Sequence, residues 1–241
     1  VAIVVLRQGE YIDTDHIPFI DSVNMPDAKT YHRGDLRADL LRLGRQMLEA
    51  EGPDGLSVRK LAAAAGVSHN APYMHFKGRD GLVAALAASG FDGLGAAIRA
   101  EATNSGADWL TAFRAGCRAY VRYAIAHPQL YVLMHRDYSP EAWPETGKAS
   151  IAALDLLKGA LAEGQRQGHI RPGSHHDQAL GVWAALHGLA GILGRPSGAG
   201  AVSDKPSDAI VDDVIDMLVT GMAATRRASG RTGLFQNIRL T

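Results

Sequence analysis

Four cationic side chains, Arg59, Lys60, Lys77 and Arg79, fall within residues 57–79, and no aspartate or glutamate stands among them. The same stretch carries the hydroxyls of Ser57 and Ser68, and His69, Asn70, Tyr73 and His75, which are short or planar hydrogen-bonding groups. This is chemistry for a polyanion. The cations neutralise phosphates, and the polar side chains are sized to read base edges in a major groove. Elsewhere the charge cancels: the chain has 25 basic and 25 acidic residues and a formal net charge of zero. Only the distribution carries a nucleic-acid signal. Residues 1–26 lean the other way, with Arg7 against Glu10, Asp13, Asp15 and Asp21.

Other chemistries lack their constellations. The ten histidines and many serines include no nucleophile elbow, no phosphate-binding glycine loop and no His-Glu-x-x-His. His169, His175 and His176 lie in polar linkers without paired carboxylates or cysteines, so they read as solvated, and no metal or other cofactor is expected. Cys117 is the one cysteine. It allows no intrachain disulfide and no cysteine-based zinc site, which fits a reducing cytoplasm. "VAIVVL" at the start has no basic flank or cleavage pattern, and no apolar run reaches the ~18 residues a membrane span needs.

The elements that must position the basic stretch are helices. Alanine and leucine dominate the apolar 46% of the 241 residues, and the expected class is all-α. Residues 1–30 are poorly patterned: "VAIVVL" suits a short strand, and the rest reads as loop or arm. The sequence leaves open whether residues 1–24 are translated, with Met25 as the other start. From Asp35, Leu36, Leu40, Leu43 and Met47 mark one helical face, and "EGPDG" ends it. Ser57 is an N-cap, with Leu56 and Leu61 as a hydrophobic staple, for a helix to about Ala65. Its alanines 62–65 suit close packing. Gly66 supplies a sharp turn, and Ser68 is expected to cap a short helix to about Phe76, with Pro72 in its first turn. A long helix follows with Leu82, Leu86, Phe91, Leu94 and Ile98 as apolar positions. Trp109, Phe113, Cys117 and Tyr120 stripe the next one. Pro128 opens a short helix, and further helices cover about 148–167, 175–194 and 206–228, nine or so in all.

Two short capped helices joined by a glycine turn and preceded by a supporting helix form a helix-turn-helix. The segment "SVRKLAAAAGVSHNAPYMHFKGRDGL" resembles the DNA-binding segment of the tetracycline-repressor (TetR) family of bacterial regulators. The shared marks are Ser57 opening the second helix, the turn Ala65 to Ser68, the "YMHF" of Tyr73 to Phe76, and Arg79 with Asp80. "APY" stands where "GTLY" is commoner. "VWAALHGLAG", with Trp183, His187 and Gly188, and "AHPQLYVLM" are similar to the WHG-type C-terminal domain of some members.

The resemblance implies an all-helical homodimer in the cytoplasm, binding a palindromic double-stranded DNA operator. Residues 31–82 would form the helix-turn-helix domain and 83–241 a helical ligand-binding and dimerisation domain, after the extension 1–30. The last two helices would build the dimer's four-helix bundle. By the motif, Ser57, Tyr73, His75 and Arg79 contact phosphates, with Lys77 beside them, while His69, Asn70 and Ala71 lie toward the bases; Arg59 and Ser68 complete the DNA-binding set, and Phe76 packs inside. Seven of the 15 aromatics fall within residues 109–143, which suits an apolar ligand cavity. The candidate ligand residues are Trp109, Phe113, Cys117, Tyr120, Tyr131, Trp143, Trp183 and His187. The expected function is a regulator, acting as a repressor, that a small, largely apolar effector releases from DNA. The alternatives are a regulator of this fold without a sensor, or a helical structural dimer. Ligand, operator and regulated genes are not encoded in any motif.

Overall fold

The computed structural model describes residues 36–106, 108–195 and 204–223. The extension 1–30, the linker 196–203 and the expected end of the last helix at 228 lie outside the described residues. Within them the chain forms eight α-helices: α1 (Leu36–Gly55), α2 (Val58–Ala64), α3 (Gly78–Asn104), α4 (Trp109–Ala126), α5 (Pro128–Met134), α6 (Pro144–Arg166), α7 (His175–Leu193) and α8 (Ser207–Met222). A 3-10 turn, Ala71–Met74, lies between α2 and α3. No strand occurs among the described residues; a single bridge pairs Ile170 with Ala223.

α1 breaks where the sequence says it should. Gly52 takes φ 73°, a left-handed conformation that suits glycine, and Pro53 follows. Its buried stripe is Leu40, Gly44 and Leu48, with Leu43 and Met47 only half-buried. The face is turned from the expected one because Gly44 lets Leu82 and Leu86 approach: a Cβ there would stand 3.4 Å from Leu86 Cδ2. Ser57 caps α2 by accepting the Lys60 amide at 3.4 Å, and Leu56 and Leu61 are both buried. Of the four alanines, Ala62 packs inside, whereas Ala63 and Ala64 are exposed. Gly66 makes the turn at φ 67°.

The expected helix from Ser68 to Phe76 is a correction. The segment contracts to the four-residue 3-10 turn, preceded by Asn70, and Ser68 offers its backbone carbonyl to Ala71 rather than its side chain as a cap. Pro72 explains the difference. It sits in the first turn, where its missing N–H breaks no bond, and its carbonyl accepts from both His75 and Phe76, which closes the segment.

α3 is the central element. Residues 81–88 are buried on every side, the mark of a core helix. α3 packs on α4, α5 and α6. On length and hydropathy it would pass for a membrane span, and 56% of that window is buried within the fold. Gly90 allows α5 to approach so closely that a Cβ would meet Met134 at 2.7 Å. α8 lies along α4 through three ion pairs one turn apart: Arg122 with Asp208, Arg118 with Asp212 and Arg114 with Asp216. The middle pair is bidentate, at 2.8 and 2.7 Å.

Candidate nucleic-acid interface and cavity

The 3-10 turn and its flanks form one exposed face. Ser68, His69, Asn70, Tyr73, His75 and Lys77 are all exposed, and Ala71 is half-buried. Two hydrophobic anchors hold this face: Pro72 is buried beneath it, and Phe76 is 3% exposed. The Arg37 guanidinium lies 5.9 Å from the centre of the Phe76 ring. Met74 is 86% exposed among these polar groups. Sequence reasoning passed over it, although its place inside the "YMHF" motif was the available signal. A methionine there can meet the methyl groups of thymines.

The cations of the stretch are placed differently from one another. Lys60 donates to Glu51 at 2.7 Å, so its charge is partnered. Arg79 donates to the carbonyls of Leu56 at 3.1 Å and Pro53 at 2.6 Å, which ties the start of α3 to the loop before α2. Arg59 and Lys77 form no ion pair with any described residue and stand exposed. The Ser57 hydroxyl is engaged as the cap of α2. Taken together, the face presents positive charge and unpaired donors around a short protruding segment, which can engage a phosphate backbone and reach into a groove.

A cavity of about 580 Å³ lies among α3, α4, α6 and α7, within the range of small-molecule sites. Its walls are Phe91 to Ala102 of α3, Trp109 to Tyr120 of α4, Ser150 to Glu163 of α6, and Trp183 with Leu186 of α7. At about 1.5 Å per residue, the α4 wall spans roughly 16 Å from Trp109 to Tyr120. Trp109 closes one end. It stacks on Phe113 at 5.0 Å and on His169 at 5.1 Å, and its indole donates to the Ala160 carbonyl at 2.7 Å. Gly164 makes room for it, since a Cβ would stand 2.4 Å from its ring. The other end holds Tyr120, Phe91 and His135.

Of the expected ligand residues, Trp109, Phe113, Cys117, Tyr120 and Trp183 line the cavity. Tyr131 and His187 stand behind its wall, joined in a chain: Tyr120 and Tyr131 share a hydroxyl hydrogen bond of 2.7 Å, and Tyr131 meets His187 Nδ1 at 2.7 Å. Burial pushes the Tyr131 hydroxyl well above its ordinary pKa, so it stays protonated. Trp143 heads α6, half-buried, and does not line the cavity. Burial pushes the Cys117 thiol up to about 12, so it serves as an apolar surface and not as a nucleophile. Sequence reasoning missed the α6 wall (Ile151, Leu154, Leu157) and His135. The α6 spacing was readable, whereas His135 follows the helix that holds Tyr131 and carried no signal of its own.

The two regions are physically joined. α3 runs from the 3-10 turn to the cavity wall without a break. The Glu49 carboxylate of α1 also accepts the amides of Gln129 and Leu130 at 3.2 and 3.1 Å, and so caps α5. Thr146 of α6 donates to the Ala84 carbonyl at 3.0 Å. No group of histidines, cysteines and carboxylates able to hold a metal occurs among the described residues.

Two family descriptions match the sequence. "Bacterial regulatory proteins, tetR family" covers residues 40–86, and "Tetracyclin repressor-like, C-terminal domain" covers residues 113–218. Among solved structures, a protein of unknown function from Rhodococcus sp. RHA1 is 37% identical, with a TM-score of 0.71, covering 81% of this chain and 99% of its own. The TetR family transcriptional regulator PfmR from Thermus thermophilus is 22% identical, with a TM-score of 0.57 and coverage of 78% and 99%. The transcriptional regulator FadR from Bacillus subtilis, solved in complex with stearoyl-CoA, is 15% identical, with a TM-score of 0.61 and coverage of 77% and 99%. The last two show likeness of fold alone. No curated protein matches the sequence.

Proposed function

The chain belongs to the TetR family of bacterial transcriptional regulators, and from that membership we propose that it is a homodimeric repressor, released from a palindromic operator by a small, largely apolar effector. It is a DNA-binding regulatory protein rather than an enzyme, and its place of action is the cytoplasm.

The observation that carries the effector is the cavity of about 580 Å³, walled by α3, the helix that also anchors the DNA-binding face. A ligand shifts an equilibrium only as far as it prefers one state over the other. Here it would act on the tilt of α3 and on the Glu49 joint, and so on the spacing of two DNA-binding faces in a dimer. A preference of about 1.4 kcal/mol gives a tenfold change in DNA affinity. The complex of a fold neighbour with stearoyl-CoA supports an effector with a long apolar part.

One short reading segment touches few bases, so two copies are needed for useful specificity. α7 supports such a dimer. Leu180, Gly181, Ala184, Gly188, Gly191 and Ile192 are exposed along one stripe, and a Cβ on any of its three glycines would meet nothing within 4 Å. Small residues of this kind let a second copy approach closely. Within this reading His69, Asn70 and Ala71 face bases, with Asn70 suited to adenine. Ser57, Arg59, Tyr73, His75, Lys77 and Arg79 lie along the phosphates, and Ser68 borders them.

The test is binding-site selection from random duplexes, followed by titration of the selected DNA with Asn70→Ala. The reading expects an inverted repeat and a relaxed sequence preference in the variant. Selection of no sequence, or of a single half-site by a monomer, contradicts it.

A further inference from the structure

Four polar groups of the cavity wall are satisfied by the protein itself. The Trp109 indole donates to Ala160. The Tyr120 hydroxyl is held by Tyr131, and the Ser150 hydroxyl donates to the Gly147 carbonyl at 2.9 Å. The Glu163 carboxylate is bound by Arg166 and Gln167. His135 is different. Its Nδ1 lies 2.9 Å from the carbonyl oxygen of Tyr131, one helical turn back. A carbonyl only accepts, so the ring proton sits on Nδ1, and Nε2 of the neutral ring is left as a bare acceptor.

No described residue donates to that Nε2. His135 lines the cavity at its Tyr120 end, and Nε2 is the nitrogen turned away from the Tyr131 carbonyl. The ring is walled by Phe91 at 5.9 Å, Tyr131 at 4.5 Å, His187 at 4.6 Å and Trp183 at 6.3 Å between centroids. Such surroundings keep it neutral, and burial lowers its pKa. His187 does not compete for the same partner, because it does not line the cavity and its Nδ1 is engaged with the Tyr131 hydroxyl.

An acceptor that no described protein group meets, on a residue lining an apolar cavity, defines what the ligand should bring. Resting on the reading of this cavity as an effector site, the geometry points to an elongated apolar effector whose inner end carries a neutral hydrogen-bond donor, an alcohol or phenol hydroxyl, given to Nε2 of His135. A carboxylate has no proton to give and would set lone pair against lone pair. The one cation on the lining, Arg99, is exposed, with its guanidinium beside Gly95 and Leu156.

The experiment is a tryptophan-fluorescence titration of the full chain with 1-decanol, 1-methoxynonane and decanoic acid, since Trp109 and Trp183 line the cavity. The alcohol and the ether have the same number of heavy atoms, and only the alcohol donates. Wild type should bind the alcohol roughly tenfold more tightly than the ether, the size of one buried hydrogen bond. In His135→Phe the preference should vanish while the ether binds as before, which also shows that the variant is folded. Equal binding of alcohol and ether to wild type overturns the hydroxyl assignment and leaves the cavity reading standing. So does tightest binding of the acid, which would make Arg99 the anchor. If none of the three changes the fluorescence, the effector-site reading falls as well.

Discussion

Lys77 and Arg79 carry the same charge near the start of α3 and are set to different tasks. Arg79 closes the loop before α2 through the carbonyls of Pro53 and Leu56, whereas Lys77 reaches solvent. Lys77→Ala should therefore weaken all duplexes alike and lower the salt slope of binding by about one, measured by anisotropy at several salt concentrations. Arg79→Ala should in addition lower the melting temperature, by about 2–4 °C for each kcal/mol lost at this chain length. His135 makes a separate prediction. Burial depresses its pKa in the fold, so on acidification the unfolded chain takes up that proton first. Its contribution to stability is complete above about pH 6.5 and is lost as pH falls through the lower, folded value. Denaturant melts of wild type should therefore lose stability over that window, and His135→Gln should lose less. An identical pH profile in the variant would show that His135 is not held neutral.

At the scale of elements, the joint between α1 and α5 is the feature that links the two halves of the protein. Glu49 caps α5, and α5 carries Tyr131 and leads into His135. Glu49→Gln keeps the shape and weakens the charge-assisted cap. It should bind cavity ligands and operator as wild type does, with a smaller change in operator affinity on adding ligand. Full retention of that change would move the coupling to α3 alone. Much of this architecture was legible in the sequence. The α4 stripe from Trp109 to Tyr120 has the spacing of a helix face and proved to be a cavity wall. Ser57, Gly66 and the break at Gly52 follow from backbone chemistry at single residues. What was not legible depended on partners distant in sequence. The α1 face turned toward Gly44 because Leu82 and Leu86 fit against it, and glycine gives no hydrophobic signal. The segment from Ser68 to Phe76 tightened to a 3-10 turn around Pro72, where the spacing suggested a longer helix. His135 acquires its meaning only when α5 folds against α7 and the cavity.

For the whole molecule, α3 links the proposed DNA-binding face to the cavity, and α8 is laced to the cavity wall by the arginine–aspartate pairs of α4. That lacing would pass a movement of α4 to the helices proposed as the dimer interface. Ala184 lies on the exposed α7 stripe. Ala184→Glu should leave the helix intact and place like charges across the two-fold axis. Sedimentation should show a dimer for wild type and a monomer for the variant, with at least a tenfold loss in operator affinity, about 1.4 kcal/mol. A dimer that persists in the variant would place the interface elsewhere. The central claim is that occupancy of the cavity governs DNA binding, and one paired measurement tests it. Apolar compounds are titrated into the protein with its selected operator, and tryptophan fluorescence and DNA anisotropy are recorded in the same sample. The account predicts that compounds altering the fluorescence of Trp109 and Trp183 lower operator affinity tenfold or more, over the same concentration range. Saturation of the fluorescence change with the operator still bound at full affinity would contradict it.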